Sequence, residues 1–96
     1  MECAHNAHLY YLLLPPHIGR DGVLADLNRR GINAVFHYVP LHASPAGRKF
    51  GRVATSMAFT EERSEQLIRM PLWVGMSDDT PGRVLEGLTA ALASHV

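Results

Sequence analysis

The sequence has little of what would place it in several common protein classes. Its single cysteine, Cys3, excludes an intramolecular disulfide framework and is typical of a reducing compartment, so a cytoplasmic location is expected. Its strongest apolar run, residues 9–14 (LYYLLL), is far shorter than the ~20 residues of a membrane-spanning helix and follows no basic segment. Neither a membrane span nor a signal sequence is therefore expected.

Net charge is also lacking. Nine Lys and Arg residues balance nine Asp and Glu residues, and the basic residues are scattered along the chain. Scattered basic residues do not form the continuous basic surface that binds a phosphate backbone, so nucleic acid is not expected as a partner. A chain of 96 residues has enough apolar surface for one modest core, so a single domain over residues 1–96 is expected.

The first half of the chain shows the periodicity of strands alternating with a helix. Residues 9–14 fit a strand that is buried on both faces. A helix is predicted from about Arg20, and Gly31 supplies the left-handed residue that ends it. Residues 32–38 (INAVFHY) fit a second strand, which Pro40 terminates because proline lacks the backbone donor that a sheet requires.

The second half is predicted to contain one long loop and two helices. Residues 42–59 have little periodicity and are expected to form a surface loop. Thr60 is a candidate cap for a helix that closes at Pro71, and Pro81 suits the first turn of a C-terminal amphipathic helix. This order of elements predicts an α/β (α+β) fold with a short sheet and helices packed on one face.

Polar side chains are concentrated in residues 34–47 (AVFHYVPLHASPAG), where the second predicted strand ends. His37, Tyr38 and His42 supply two imidazoles and a phenol, which donate hydrogen bonds to anionic groups, and Pro40 stiffens the backbone between them. In the alternative interpretation, the side chains of residues 36–38 are divided between the two faces of a strand, and His37 is half buried with its hydrogen bonds satisfied inside the protein.

The segments INAVFHYVPLHASPAG and ERSEQLIRMPLW, followed by an amphipathic helix, resemble the C-terminal end of the DegT/DnrJ/EryC1/StrS family of pyridoxal-phosphate sugar aminotransferases. Within that family the chain is most similar to the dTDP-4-amino-4,6-dideoxygalactose transaminases of bacterial surface-polysaccharide (lipopolysaccharide) synthesis. The resemblance extends from NAHLYY over nearly the whole chain. It implies the small C-terminal domain of a fold-type I aminotransferase, which covers an active site formed by a larger domain.

The resemblance also implies a substrate and a set of partners. Members of the family transfer an amino group from glutamate to a nucleotide-linked keto sugar, here a 4-keto-6-deoxyhexose on dTDP or UDP, and the small domain packs against the large one in a homodimer or larger assembly. By position in the family motif, His37, Tyr38 and His42 are the candidate substrate-binding residues. They are expected to contact the diphosphate or the sugar.

The cofactor-binding lysine of the family has no counterpart in this sequence. Lys49 is the single lysine, and the segment GRKFG around it lacks the family's surroundings for a Schiff base. Pyridoxal phosphate is therefore expected only in a full-length enzyme, with no catalytic, cofactor-binding or metal-binding residue in this chain. The isolated chain is expected to be inactive, as a fragment, a truncated reading frame or a separately encoded remnant.

Two other classes of function stay open. Six histidines raise the possibility of a metal-binding module, with His5 and His8 as one pair and His37 and His42 as a second. No CxxC or HExxH motif accompanies them. An assembly module without catalysis would instead need only an apolar surface that pairs with a copy or with another protein.

Overall fold

A computed structural model describes residues 3–95 of the chain. In chain order, the elements are β1 (Tyr10–Leu13), α1 (Arg20–Arg29), a 3₁₀ turn (Leu41–Ala43), α2 (Pro45–Phe50), α3 (Ala58–Gln66), β2 (Leu67–Met70) and α4 (Thr80–His95). Helices combine with a small antiparallel sheet. This arrangement confirms the expected α/β (α+β) fold class.

β2 has backbone partners on both sides, a strand on one and a single bridge on the other. It pairs antiparallel with β1, in a register that places Tyr11 opposite Arg69. Towards its other edge, Arg69 exchanges two backbone hydrogen bonds with Val35, of 3.2 and 2.7 Å. Alternate residues of an antiparallel strand bond to opposite sides, so the residues that flank Arg69 bond towards β1.

The second predicted strand, residues 32–38, is reduced to this single bridge at Val35. The amide of Ala34 donates to the carbonyl of Ile32 at 2.9 Å, and this local bond removes one donor from any sheet ladder. Phe36 and the residues that follow it leave the sheet before Pro40. The strand prediction is therefore wrong except at Val35: a local backbone bond replaces pairing before Val35, and the residues after it leave the sheet.

The hydrophobic core lies on one face of the sheet. Ile68 of β2 packs there with Val23 and Leu27 of α1, and all three are fully buried. Leu88 and Ala91 of α4 complete the cluster, and α1 contacts both α4 and β2. α1 and α4 thus join one face of β2 in a common core.

The opposite face of the sheet is open. Tyr11 and Leu13 of β1 are 53% and 47% exposed, and Arg69 of β2 is half buried. The prediction that residues 9–14 are buried on both faces is wrong for this chain alone. The physical reason is that successive side chains of a strand point to opposite faces of the sheet, and the helical core covers only one of these faces. We call this surface, formed by Tyr11, Leu13, Arg69 and the neighbouring Tyr38, the open sheet face.

Residues 42–59 are not one loop. Ser44 caps α2, since its Oγ accepts a hydrogen bond from the amide of Gly47 at 3.0 Å, and Pro45 occupies the first turn. Gly47 lies against the carbonyl oxygen of Leu41, so a Cβ would collide with the 3₁₀ turn. Short-range capping therefore folds half of the predicted loop.

The predicted helix over 60–71 is shifted and shortened. α3 begins at Ala58, which places Thr60 inside its first turn rather than at its cap. It ends at Gln66 because the next four residues pair with β1. The other predicted helices are confirmed: Gly31, with φ of 80°, follows α1, and Pro81 lies in the first turn of α4.

Candidate functional site

His37 and Tyr38 follow the Val35 bridge, where the chain leaves the sheet. Both residues are exposed, and Tyr38 retains 68% of its accessible surface. Their ring centroids are 4.7 Å apart in an edge-to-face arrangement. Within residues 3–95 neither ring makes a hydrogen bond, so the imidazole nitrogens and the phenol are free to bind a ligand. The interpretation of His37 as a half-buried, internally satisfied residue is wrong.

Arg69 joins this pair through the fold. Its guanidinium carbon lies 5.6 Å from the centroid of the Tyr38 ring, within the range of a cation–π contact. The backbone pairing of Arg69 with Val35 brings this side chain next to the residues that follow Val35. Sequence reasoning missed Arg69, although its place between two apolar residues in LIRM indicates a side chain on the face opposite the core.

His42 has a different environment. It lies in the 3₁₀ turn, its side chain is 18% exposed, and its Nε2 is 2.9 Å from Oε1 of Glu61. Glu61 belongs to α3, so this pair joins the 3₁₀ turn to that helix. The Nδ1 atom of His42 is the one that this contact leaves for a further partner.

A groove runs between the segment 36–40 and α3. Tyr38 and Pro40 line one side of it, and Glu61 lines the other. Arg20 at the end of α1 also lines it, and its guanidinium donates to the carbonyl oxygen of Ser64 and lies 5.5 Å from the centroid of the Phe36 ring. The structure thus brings Tyr38 and Glu61, the partner of His42, to one groove, which His37 does not line.

The shifted pKa values lie away from this groove. Burial raises the pKa of Asp26, but the hydrogen bond and charge of Arg30, together with Arg29, outweigh burial and lower that pKa below its usual range. The Asp26 carboxylate is 3.0 Å from Arg30 and 3.9 Å from His95 of α4. This cluster joins α1 to α4.

The histidines do not assemble into a metal centre in the described range. Residues 3–95 contain no group of three or more His, Cys, Asp or Glu side chains placed to hold a metal ion. His5 accepts a hydrogen bond from the amide of Ala7, and His8 bonds to the side chain of Asn6. In the same range, no helix is long and apolar enough to cross a membrane.

The model of the DegT/DnrJ/EryC1/StrS aminotransferase family matches residues 1–89. The chain belongs to this family. The match covers both the strand exit that carries His37 and the β2 segment that carries Arg69.

Individual relatives agree with this assignment. The chain is 30% identical to the UDP-4-amino-4-deoxy-L-arabinose–oxoglutarate aminotransferase of Shewanella sediminis, over 92% of this chain and 25% of that protein. It is similar in structure to the aminotransferase TlmJ of Streptoalloteichus hindustanus, with a TM-score of 0.74 and 27% identity, over 90% of this chain and 22% of that one. The chain therefore spans about a quarter of the length of these family members.

Proposed function

We propose that residues 1–96 form the C-terminal small domain of a nucleotide-sugar aminotransferase. The complete enzyme transfers an amino group from glutamate to a 4-keto-6-deoxyhexose on dTDP or UDP, in the synthesis of a surface polysaccharide such as lipopolysaccharide. Family membership and the UDP-sugar name of the Shewanella relative support this assignment. The small domain covers the active site of the larger domain and supplies contacts to the nucleotide sugar.

The observation that carries this proposal is the exposed, unpaired state of His37 and Tyr38. An imidazole and a phenol at one strand exit present two donors to the oxygens of a diphosphate. Neither side chain makes an internal hydrogen bond within residues 3–95, so their polar atoms are not needed to hold the fold. His42 contributes a third contact through Nδ1, because its Nε2 is engaged with Glu61.

Pyridoxal phosphate belongs to the larger domain in this proposal. The residues of this chain do not fit a site for it: Lys49 is exposed on the six-residue helix α2, and its Nζ lies 5.0 Å from the centroid of the Phe50 ring. A Schiff-base lysine needs a partly desolvated site, and an exposed helix does not provide one.

A second candidate function is that of an assembly module without catalysis, which pairs with a copy of itself or with another protein. The exposed apolar side chains favour it. Tyr10, Phe36, Leu41 and Trp73 retain between 45% and 83% of their accessible surface, whereas Leu12 is partly buried against the core. In the complete enzyme the same surface contacts the larger domain and a second subunit in a homodimer.

Steady-state kinetics of a complete enzyme test the proposal. Residues 1–96 replace the matching C-terminal quarter of a family aminotransferase, and His37→Ala is introduced there. The diphosphate is remote from the carbon that receives nitrogen, so its contact is the same in the ground state and in the transition state. We expect KM for the nucleotide sugar to rise with kcat little changed. The loss of a charge-assisted bond, about 1.5–3 kcal/mol, lowers kcat/KM roughly ten- to hundredfold.

Two measurements serve as controls in that enzyme. The half-reaction with glutamate involves no diphosphate, so it should be unaffected by His37→Ala, and it reports whether the joined protein is correctly folded. Tyr38→Phe removes one O–H donor and keeps the ring, so it should raise KM less than His37→Ala, which removes a whole side chain. Equal slowing of both half-reactions would show that His37 supports the fold or the cofactor, which would contradict the substrate-binding role.

A further inference from the structure

Arg69 differs from the other half-buried arginines of the described chain. Arg20 donates to Ser64 and Asp21, and Arg63 donates to Gln66 and Glu62. The Arg69 side chain makes no hydrogen bond or ion pair within residues 3–95, and its Nε is shielded from solvent. A half-buried guanidinium without a partner among the described residues has lost hydration without regaining hydrogen bonds, and an anion bound at its accessible end would restore them.

The fold holds this guanidinium in one place. The Arg69 backbone is paired with Val35 on one side and lies opposite Tyr11 on the other, which fixes the root of the side chain. The guanidinium end of the side chain packs against the Tyr38 ring, with 5.6 Å between the guanidinium carbon and the ring centroid. A side chain held in this way loses little conformational freedom when it binds a ligand.

The chemistry of the surrounding side chains indicates the class of ligand. A guanidinium presents a planar fork of donors that matches phosphate or carboxylate oxygens. Tyr38 and its neighbour His37 add a phenol and an imidazole on the same side of the strand exit. Three such donors suit a group with several anionic oxygens in a row, as in a diphosphate, better than a single carboxylate.

We propose that Arg69 is a further substrate-binding residue, whose guanidinium donates to a phosphate oxygen of the nucleotide sugar beside Tyr38. This inference rests on the proposed function for the identity of the ligand. The anion-binding capacity of Arg69, however, is testable without any nucleotide sugar. Because Nε is shielded from solvent, the accessible Nη groups are the donors that meet the diphosphate when substrate binds to the open sheet face.

Inorganic pyrophosphate is the probe for this site. The chain, labelled with ¹⁵N, is titrated with pyrophosphate at constant ionic strength while the Nε–H resonance of Arg69 is followed by NMR. We expect a saturable shift of that resonance. Arg69→Gln should weaken the binding, measured from backbone amides near Tyr38, by roughly tenfold or more, since a charged bidentate donor is lost. Arg69→Lys keeps the charge without the fork and should give an intermediate affinity.

Matched controls separate a site from general charge attraction. Arg83→Gln removes an exposed arginine on α4 and should leave the pyrophosphate affinity within about twofold, because exposed charges are screened. Acetate at the same ionic strength should shift the Arg69 resonance far less than pyrophosphate does. If Arg69→Gln unfolds the chain, the pyrophosphate affinity of Arg69→Lys, compared with that of the wild-type chain, tests the site instead.

Three results would overturn the inference: no saturable shift, equal affinities for the wild-type chain and Arg69→Lys or Arg69→Gln, or an equal response to acetate. Each of these concerns Arg69 alone. The kinetic test of His37 has a separate readout, so a failed Arg69 site and a failed assignment of function are distinguishable.

Discussion

Replacing Ile68 with alanine tests whether β2 is the centre of the core. Ile68 is fully buried and packs among the core residues contributed by α1 and α4. The substitution removes three carbon atoms, which at about 0.8 kcal/mol for each buried group cost about 2.4 kcal/mol in transfer free energy. The cavity left in a rigid site adds to this, so we expect a loss of about 3–4 kcal/mol in the free energy of unfolding.

That loss is large for a chain of this size. At 0.05–0.15 kcal/mol per residue, 96 residues give a total stability of roughly 5–14 kcal/mol. Urea unfolding followed by circular dichroism measures the change. With a slope of about 1.5 kcal/mol per molar urea, the midpoint should fall by roughly 2 M. Leu85→Ala is the matched control, because Leu85 is 62% exposed on α4 and its truncation should cost less than about 0.5 kcal/mol.

A loss below about 1 kcal/mol for Ile68→Ala would refute this reasoning, since truncating a fully buried side chain at the centre of a core lowers the free energy of unfolding by more than that. An equal loss for Leu85→Ala would also refute it. That result would mean that the outer surface of α4 is packed against something, as it would be in a self-associated chain.

Three further results are expected. A double-mutant cycle of His42→Ala and Glu61→Gln should give a coupling of about 0.2–1 kcal/mol in urea unfolding, and no coupling would mean that the pair does not hold the 3₁₀ turn on α3. Because Arg30 lowers the pKa of Asp26, the stability due to this carboxylate should be present above about pH 4 and be lost as pH falls through the lowered pKa; Asp26→Asn should flatten that loss, and unchanged acid unfolding would contradict the cluster. Added pyridoxal phosphate should form no stoichiometric aldimine absorbance, and a band that borohydride fixes on Lys49 would contradict this.

The local sequence determined much of the structure by itself. Helices α1 and α4 follow from their apolar spacing and from Gly31 and Pro81, because capping and periodicity act over a few residues. The segment around His37 and Tyr38 also stands out in the sequence, as an aromatic and imidazole pair where a strand exits. Such features need no information about distant parts of the chain.

Long-range pairing decided the rest. The sequence alone assigns Ile68 to a helix and treats residues 32–38 as a strand, whereas β2 pairs with β1 and leaves Val35 a single bridge. Pairing depends on which strands meet, and a short apolar run fits a strand and a helix equally well. The tertiary structure also places Arg69 next to Tyr38, although the two residues are about thirty positions apart in the sequence. Neither residue's own neighbours in sequence reveal that contact, because it is set by the register in which β2 and Val35 pair.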